Sequence, residues 1–209
     1  YAYEISDYDY IAGLKSFQDG MYQIQDISSM LAGEYTAPKA GDTIVDVCGA
    51  PGGKSINAAL KMSEQGDCGR VIARDLSDYK VALIDENIKR LNITNIQTQV
   101  YDALDCDESL INKADIVIAD LPCSGLGIIG RKPDIKYSPE KLQSLVDLQR
   151  DILKVVSRYV KSGGVLMYST CTINRAENED NADWICKESG FTKDGEYHQL
   201  LPANNSGMD

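Results

Sequence analysis

Short runs of β-branched and apolar residues alternate with longer segments of helical period along most of this chain. The runs are TIVDVC (43–48), RVIARD (70–75), NIQTQV (95–100), DIVIADLP (115–122) and GVLMYSTC (164–171). Such alternation is the signature of a parallel sheet covered by helices on both faces, so the expected class is α/β. The first run leads through a Gly-rich turn into a helix over 55–62. From Asp78 to Leu91, Val81, Leu83, Ile84, Ile88 and Leu91 fall at three- and four-residue steps, an amphipathic helix capped by Ser77 or Asp78. After the fourth run comes a long loop, of the kind that is usually functional in compact domains. Ser138, Pro139 and Glu140 then start a helix through Tyr159, with Leu142, Leu145, Leu148, Ile152, Val155 and Val156 as its buried stripe. Ser162, Gly163 and Gly164 are expected to end it and launch the fifth strand. A last helix is expected at about 175–189.

Composition narrows the class further. With 209 residues, 43% of them apolar, the chain suits one ordinary core, and it carries neither low-complexity tracts nor a repeat period. Its apolar runs fall far short of the roughly 20 residues a membrane span requires, and the N-terminus shows no signal peptide. The chain also begins without Met, so it is expected to be cut from something longer. The six cysteines (48, 68, 106, 123, 171, 186) form no CxxC pair, and the single histidine, His198, has no evident partner and reads as structural. That is a poor pattern for zinc or disulfides, so no metal is expected, and unpaired thiols without an export signal fit a reducing cytoplasm. The formal charge of -11 excludes a broad basic surface for nucleic acid. Any nucleic-acid role must rest on a local site or on another domain.

Chemistry concentrates in the turns that follow the strands. CGAPGGKS (48–55) places small residues where backbone N–H groups can approach a ligand at a helix N-terminus, which implies a nucleotide-like ligand. It is not a P-loop, because Cys48 stands where that motif needs Gly, and Gly49, Gly52 and Gly53 are wrongly spaced for GxGxxG. A tight strand-to-helix connection is the plainer alternative. Asp75 ends the second strand about 20 residues beyond that turn, where a carboxylate accepts hydrogen bonds from ribose hydroxyls. Asp102 and Asp120 follow the third and fourth strands in the same way, although any one of these aspartates alone could be a cap or a solvated turn residue. Cys123, in DLPCSG, and Cys171, in STCT, come to the same carboxyl edge. A Cys in a Pro/Gly turn at a strand end is poorly placed for core packing, which favours function. Cys48, Cys68, Cys106 and Cys186 read as core or incidental.

Taken together, VDVCGAPGGKS, ARDLS, DIVIADLPCSGLG followed by GRKPDIKY, and LMYSTCTINRAENED resemble the S-adenosylmethionine-dependent RNA cytosine-5 methyltransferases, the family of the RsmB/Sun-type small-subunit rRNA enzymes and the NSUN proteins. The resemblance covers about residues 20–190, and QIQDISS (23–29) resembles the QDxxS stretch preceding the family's core. Gly49 and Ser55 depart mildly from the usual CAAPGGKT, and Leu121 from DAPCSG. The resemblance implies a Rossmann-like, mostly parallel seven-stranded fold whose last strands are missing here. It also implies an N-terminal extension (1–35) packing on a catalytic domain (36–209) that is a fragment of a longer chain with an RNA-binding domain.

For the chemistry, the resemblance implies that the Cys171 thiolate attacks C6 of cytosine and that Cys123 assists proton removal and release. Asp120 would hydrogen-bond the base edge, and Lys54 would contact the base or a carboxylate. S-adenosylmethionine would lie against Cys48, Gly49, Ala50, Pro51, Gly52, Gly53 and Lys54, with Asp75 at the ribose, Asp102 near the adenine, and Asp120 close by. Arg131 and Lys132 would meet RNA phosphates, and Tyr137 is either a stacking platform or a packed loop anchor. The expected partner is RNA, with small-subunit rRNA favoured over tRNA, and neither a membrane nor an obligate protein partner is indicated. A methyltransferase without the two-cysteine mechanism would keep the Gly turn and Asp75 but has no need of both thiols.

Overall fold

The computed structural model describes residues 3–7, 9–66, 69–129 and 142–200. Five strands, β1 (Thr43–Asp46), β2 (Arg70–Asp75), β3 (Ile96–Val100), β4 (Ala114–Asp120) and β5 (Val160–Ser169), form one sheet in the order β3-β2-β1-β4-β5. Every pairing is parallel. The helices are α1 (Lys15–Gln18), α2 (Ile27–Thr36), α3 (Gly53–Glu64), α4 (Asp78–Arg90), α5 (Leu142–Val156) and α6 (Glu179–Ser189).

Alternation along the strands divides the core in two. Val45, Val47, Ile72, Val117 and Ala119 pack with Ile152, Leu153 and Val156 of α5 and Ile185 of α6. Their neighbours Ile44, Val71, Ile116 and Ile118 meet Ala58, Ala59 and Met62 of α3 on the opposite face. Burial on both faces is why these strands read as nearly continuous apolar runs. Ser77 caps α4 by accepting a hydrogen bond from the Lys80 amide. Arg90 ties the N-terminal segment to this frame. Its guanidinium donates to the carbonyls of Phe17 (3.1 Å) and Tyr22 (2.9 Å) and lies 3.9 Å from the Phe17 ring centroid. The His198 ring stacks on Tyr35 of α2 with centroids 4.1 Å apart.

Two expectations need correction. Gly163 and Gly164 do not launch β5 but lie inside it. Ala114 pairs with Val160 and Ile116 with Val165, so β5 spends residues 161–164 in a bulge where β4 has only Asp115. Gly163 takes a left-handed φ of 76°, and a Cβ on Gly164 would come within 2.8 Å of the Asp115 carbonyl oxygen. The buried stripe of α5 is also rotated. Val146, Gln149, Ile152, Leu153 and Val156 are buried, whereas Leu142, Leu145 and Leu148 are half-buried. Gln149 holds a core position because the loops above it satisfy its amide. The beginning of that helix, Ser138 to Glu140, lies outside the described residues.

Candidate active site

The carboxyl ends of the parallel strands bring the predicted turns to one edge. Val47 continues the β1–β4 pairing by donating its amide to the Ile118 carbonyl (3.1 Å), and the chain then turns over β2, where Gly49 N–H donates to the Arg74 carbonyl (2.7 Å). Ala50 N–H donates to Asp75 Oδ2 (3.1 Å), so the aspartate that ends β2 braces the glycine-rich turn. Asp75 Oδ1 accepts from Leu76 N–H (2.8 Å) and pairs with Lys80 (3.0 Å). A carboxylate has about four lone-pair positions, so Oδ2 keeps one acceptor position for a hydroxyl. Gly52, with φ 104°, precedes α3 and offers no side-chain cap, which leaves the first amides of that helix without a capping side chain. Asp102 sits after β3 in a local turn, accepting from Leu104 N–H at 2.9 Å.

Beneath the turn lies a residue that the sequence reading missed. Asp46, 1% exposed, accepts from the Ser55 hydroxyl at 2.6 Å through Oδ2, while its Oδ1 is buried with no hydrogen-bond partner. Burial raises its carboxyl from 3.8 to about 6, against the lowering effects of the Ser55 hydrogen bond and the Lys54 charge. Cys48, beside it, is pushed up to about 12 by burial and by the negative charges of Asp46 and Asp75.

The ends of β4 and β5 carry the reactive groups. Lys54, from the first turn of α3, reaches across to Asp120 Oδ2 at 2.5 Å and lies 3.4 Å from the Ser29 hydroxyl of α2. The Ser169 hydroxyl donates to Asp120 Oδ1 at 2.7 Å. The sulfurs of Cys123 and Cys171 stand 3.1 Å apart, and the Cys171 amide donates to Cys123 Sγ at 3.3 Å. That hydrogen-bonded contact with Cys171, together with burial, pushes the Cys123 thiol far above the usual thiol range.

The expected groups thus fall into two adjoining sets, the 48–54 turn with Asp75 and the Lys54–Asp120–Cys123–Cys171 cluster, joined by Lys54. Among the described residues, Asp102 bonds to neither set. Arg131, Lys132, Tyr137 and Cys68 lie outside the described residues. Ser169 and Glu177 were also missed. Both stand in LMYSTCTINRAENED, but nothing in their spacing marks them and only the fold shows what they hold.

A twisted parallel sheet with a glycine-rich turn after its first strand and acidic residues after the next defines a Rossmann-like methyltransferase domain. A SAM-dependent O-methyltransferase from Thermotoga maritima shares this fold at TM-score 0.54 with 15% identity, covering 77% of this chain and 48% of that one. The chain belongs to the 16S rRNA methyltransferase RsmB/F family, whose model matches residues 34–196. It is 43% identical over 196 residues to a probable ribosomal RNA small subunit methyltransferase B of Bacillus subtilis, covering 92% of this chain and 43% of that protein. Over 170 residues it is 34% identical to ribosomal RNA small subunit methyltransferase F of Escherichia coli, covering 79% and 35%. NSun6 from Pyrococcus horikoshii, crystallised with SFG, superposes at TM-score 0.76 with 30% identity, covering 87% of this chain and 46% of that one. The chain therefore spans less than half the length of the curated relatives it matches. Among the described residues, no cluster of three or more metal-ligating side chains is present and no helix is long and apolar enough to cross a membrane.

Proposed function

We propose that this chain carries the catalytic domain (36–209) of an S-adenosylmethionine-dependent methyltransferase, with residues 1–35 as an extension packed on it, and that it methylates C5 of a cytosine in small-subunit rRNA. The observation that carries the reading is the 3.1 Å separation of the Cys123 and Cys171 sulfurs at the ends of adjacent strands. A methyltransferase without covalent catalysis has no use for this pair. The names of the relatives favour rRNA over tRNA.

The residues at the first two strand ends fit the cofactor. The uncapped start of α3, the remaining acceptor position on Asp75 and the buried, unpartnered Oδ1 of Asp46 supply donors for a carboxylate and acceptors for a ribose and an ammonium group. When bound, S-adenosylmethionine supplies an electrophilic methyl group.

Cytosine C5 is a weak nucleophile until a thiolate adds at C6. Cys171 forms the S–C6 bond, which moves the C5=C6 electron pair onto C5 for bonding to the methyl carbon. Removal of the C5 proton, assisted by Cys123 and taken up by solvent, then restores the double bond and expels the Cys171 thiolate. Cys123, whose sulfur stands 3.1 Å from that of Cys171, lies beside the S–C6 bond, where it assists this proton removal and the release of the enzyme. Asp120, held by Lys54 and Ser169, presents its carboxylate to the N3/N4 edge of the base. The target must leave any base stack to reach Cys171, at least cost from a loop or single strand.

The test is a denaturing gel of the full chain with S-adenosylmethionine and unmodified small-subunit rRNA. Cys123→Ala is expected to trap a slow-migrating covalent RNA adduct, and Cys171→Ala to give none. Absence of an adduct from Cys123→Ala, despite demonstrated cofactor and RNA binding, would overturn the two-cysteine reading.

A further inference from the structure

Glu177 is completely buried, yet the described structure gives it no ion-pair partner. Its carboxylate instead accepts four hydrogen bonds from neutral donors, two on each oxygen. Oε2 takes Ser124 N–H (2.9 Å) and Gln149 Nε2 (3.0 Å), and Oε1 takes the Ser124 hydroxyl (2.6 Å) and Asn174 Nδ2 (2.9 Å). Gln149, equally buried, uses the same amide nitrogen to reach the Pro122 carbonyl at 2.9 Å. The residues on both sides of Cys123 are therefore held, Ser124 by Glu177 directly and Pro122 through Gln149.

The chain around Glu177 is anchored in turn to the Cys171 side. Tyr168 of β5 donates its hydroxyl to the Glu177 carbonyl, and Asn178 accepts from the Thr170 hydroxyl and donates to the Thr172 carbonyl (2.9 Å). The Thr172 hydroxyl also meets the Ser124 hydroxyl at 2.8 Å. One carboxylate thus joins the two turns whose sulfurs face each other. A buried carboxylate is a costly way to hold loops if stability were the only requirement, since apolar packing does as well or better.

We propose that Glu177 is the positioning residue of the two-thiol site, fixing Cys123 in register against Cys171 so that the step after attack can proceed. This rests on the functional reading above. Glu177→Gln turns one acceptor oxygen into a donor that faces another donor, Ser124 or Gln149 on one side and Ser124 or Asn174 on the other. The Cys171 turn keeps its bonds to Asn178 and Gly127, so attack survives better than resolution.

The expected result with small-subunit rRNA is a kcat lower by about tenfold or more, with KM for RNA and S-adenosylmethionine within about twofold of wild type. Covalent RNA adduct should accumulate although both cysteines are present. Ser124→Ala, which leaves the carboxylate three of its bonds, should show the same adduct more weakly with an unchanged fold. A second readout needs no RNA. Oxidation of the free protein by diamide joins Cys123 to Cys171 as both thiols give up their hydrogens to the N=N bond, and mass spectrometry of the linked peptides follows its rate. Linking should slow about tenfold in Glu177→Gln. Wild-type kcat without adduct in folded Glu177→Gln, or in Ser124→Ala should Glu177→Gln not fold, would overturn the proposal. So would an unchanged linking rate. Slowed linking beside a Cys123→Ala protein that traps no RNA would instead leave the positioning role intact and refute the covalent mechanism.

Discussion

Replacing Asp46 by asparagine should make the protein more stable at alkaline pH and remove a pH dependence that runs from 3.8 to about 6. Burial raises the Asp46 carboxyl from 3.8 to about 6 in the folded protein, so the fold binds this proton more tightly than the unfolded chain does. The contribution of such a group is most favourable in acid and is lost as pH rises through 6. Between the two values the cost of ionisation grows at about 1.4 kcal/mol per pH unit, reaching about 1.6 kcal/mol at pH 5 and about 3 kcal/mol at pH 8. In Asp46→Asn the side chain has no proton to lose. Its amide oxygen can still accept from the Ser55 hydroxyl, and its amide nitrogen takes the place of an oxygen that had no partner. Other carboxylates titrate alike in both proteins, so the difference between them isolates Asp46. Urea unfolding followed by Trp184 fluorescence at pH 5 and pH 8 gives the comparison. With a slope of about 2 kcal/mol per molar urea, the gap between variant and wild-type midpoints should widen by about 0.7 M from pH 5 to pH 8. Parallel curves at the two pH values would refute the claim that buried Asp46 titrates near 6. On the proposed function the same substitution should also weaken S-adenosylmethionine binding, measured by calorimetry at pH 8, since it removes a negative group from beneath the glycine-rich turn.

Further perturbations probe the frame around the site. Arg74, nearly fully buried, pairs with Asp107, and Ser109 and Arg74 hold the Asp107 carboxyl below its ordinary value. Asp107→Asn should therefore cost about 3–5 kcal/mol at pH 7, an effect that shrinks in acid as wild-type Asp107 protonates. In urea unfolding, Arg74→Met with Asp107→Leu should recover most of that loss, and a double variant no better than the single one would refute a cost rooted in the unpaired charge. Arg90→Ala removes two hydrogen bonds and a ring contact from the N-terminal segment, at about 1–3 kcal/mol. Trypsin should then cut after Lys15 about tenfold faster while the unfolding midpoint of the core hardly moves. Cys48, pushed up to about 12, should react with iodoacetamide at pH 8 about a thousandfold more slowly than a free thiol. Peptide mass spectrometry that finds it labelled at the free rate would contradict its burial.

Much of this was legible from residue order because the elements that carry it follow simple periods. RVIARD is β2 end to end, and the helix from Asp78 was recognisable from its apolar steps and its Ser77 cap. Cys123, Cys171, Lys54 and Asp120 announce themselves as reactive types in small-residue turns. Gln149 and Glu177 do not. A glutamine in the middle of α5 reads as a solvated position, and a glutamate in NRAENED reads as one charge in an acidic run. Only the parallel pairing of β4 with β5, and the packing of α5 against them, brings their donors and acceptors into one buried volume. The β5 bulge was equally hidden, because a double glycine ends a helix far more often than it interrupts a strand.

That bulge marks where the molecule tolerates being altered. Residues 161–164 leave the sheet at its amino edge, six residues of extended strand before Cys171, which is about 20 Å from the chemistry. Ser162 is exposed, and a Cβ built on Gly163 meets nothing within 4 Å. An epitope or a dye-bearing peptide inserted after Ser162 would lengthen an existing excursion, at only about 0.6 kcal/mol for each doubling of its length. It gives a handle for immobilising or tracking the protein while the sulfur-bearing edge at the opposite end of β5 stays uncovered.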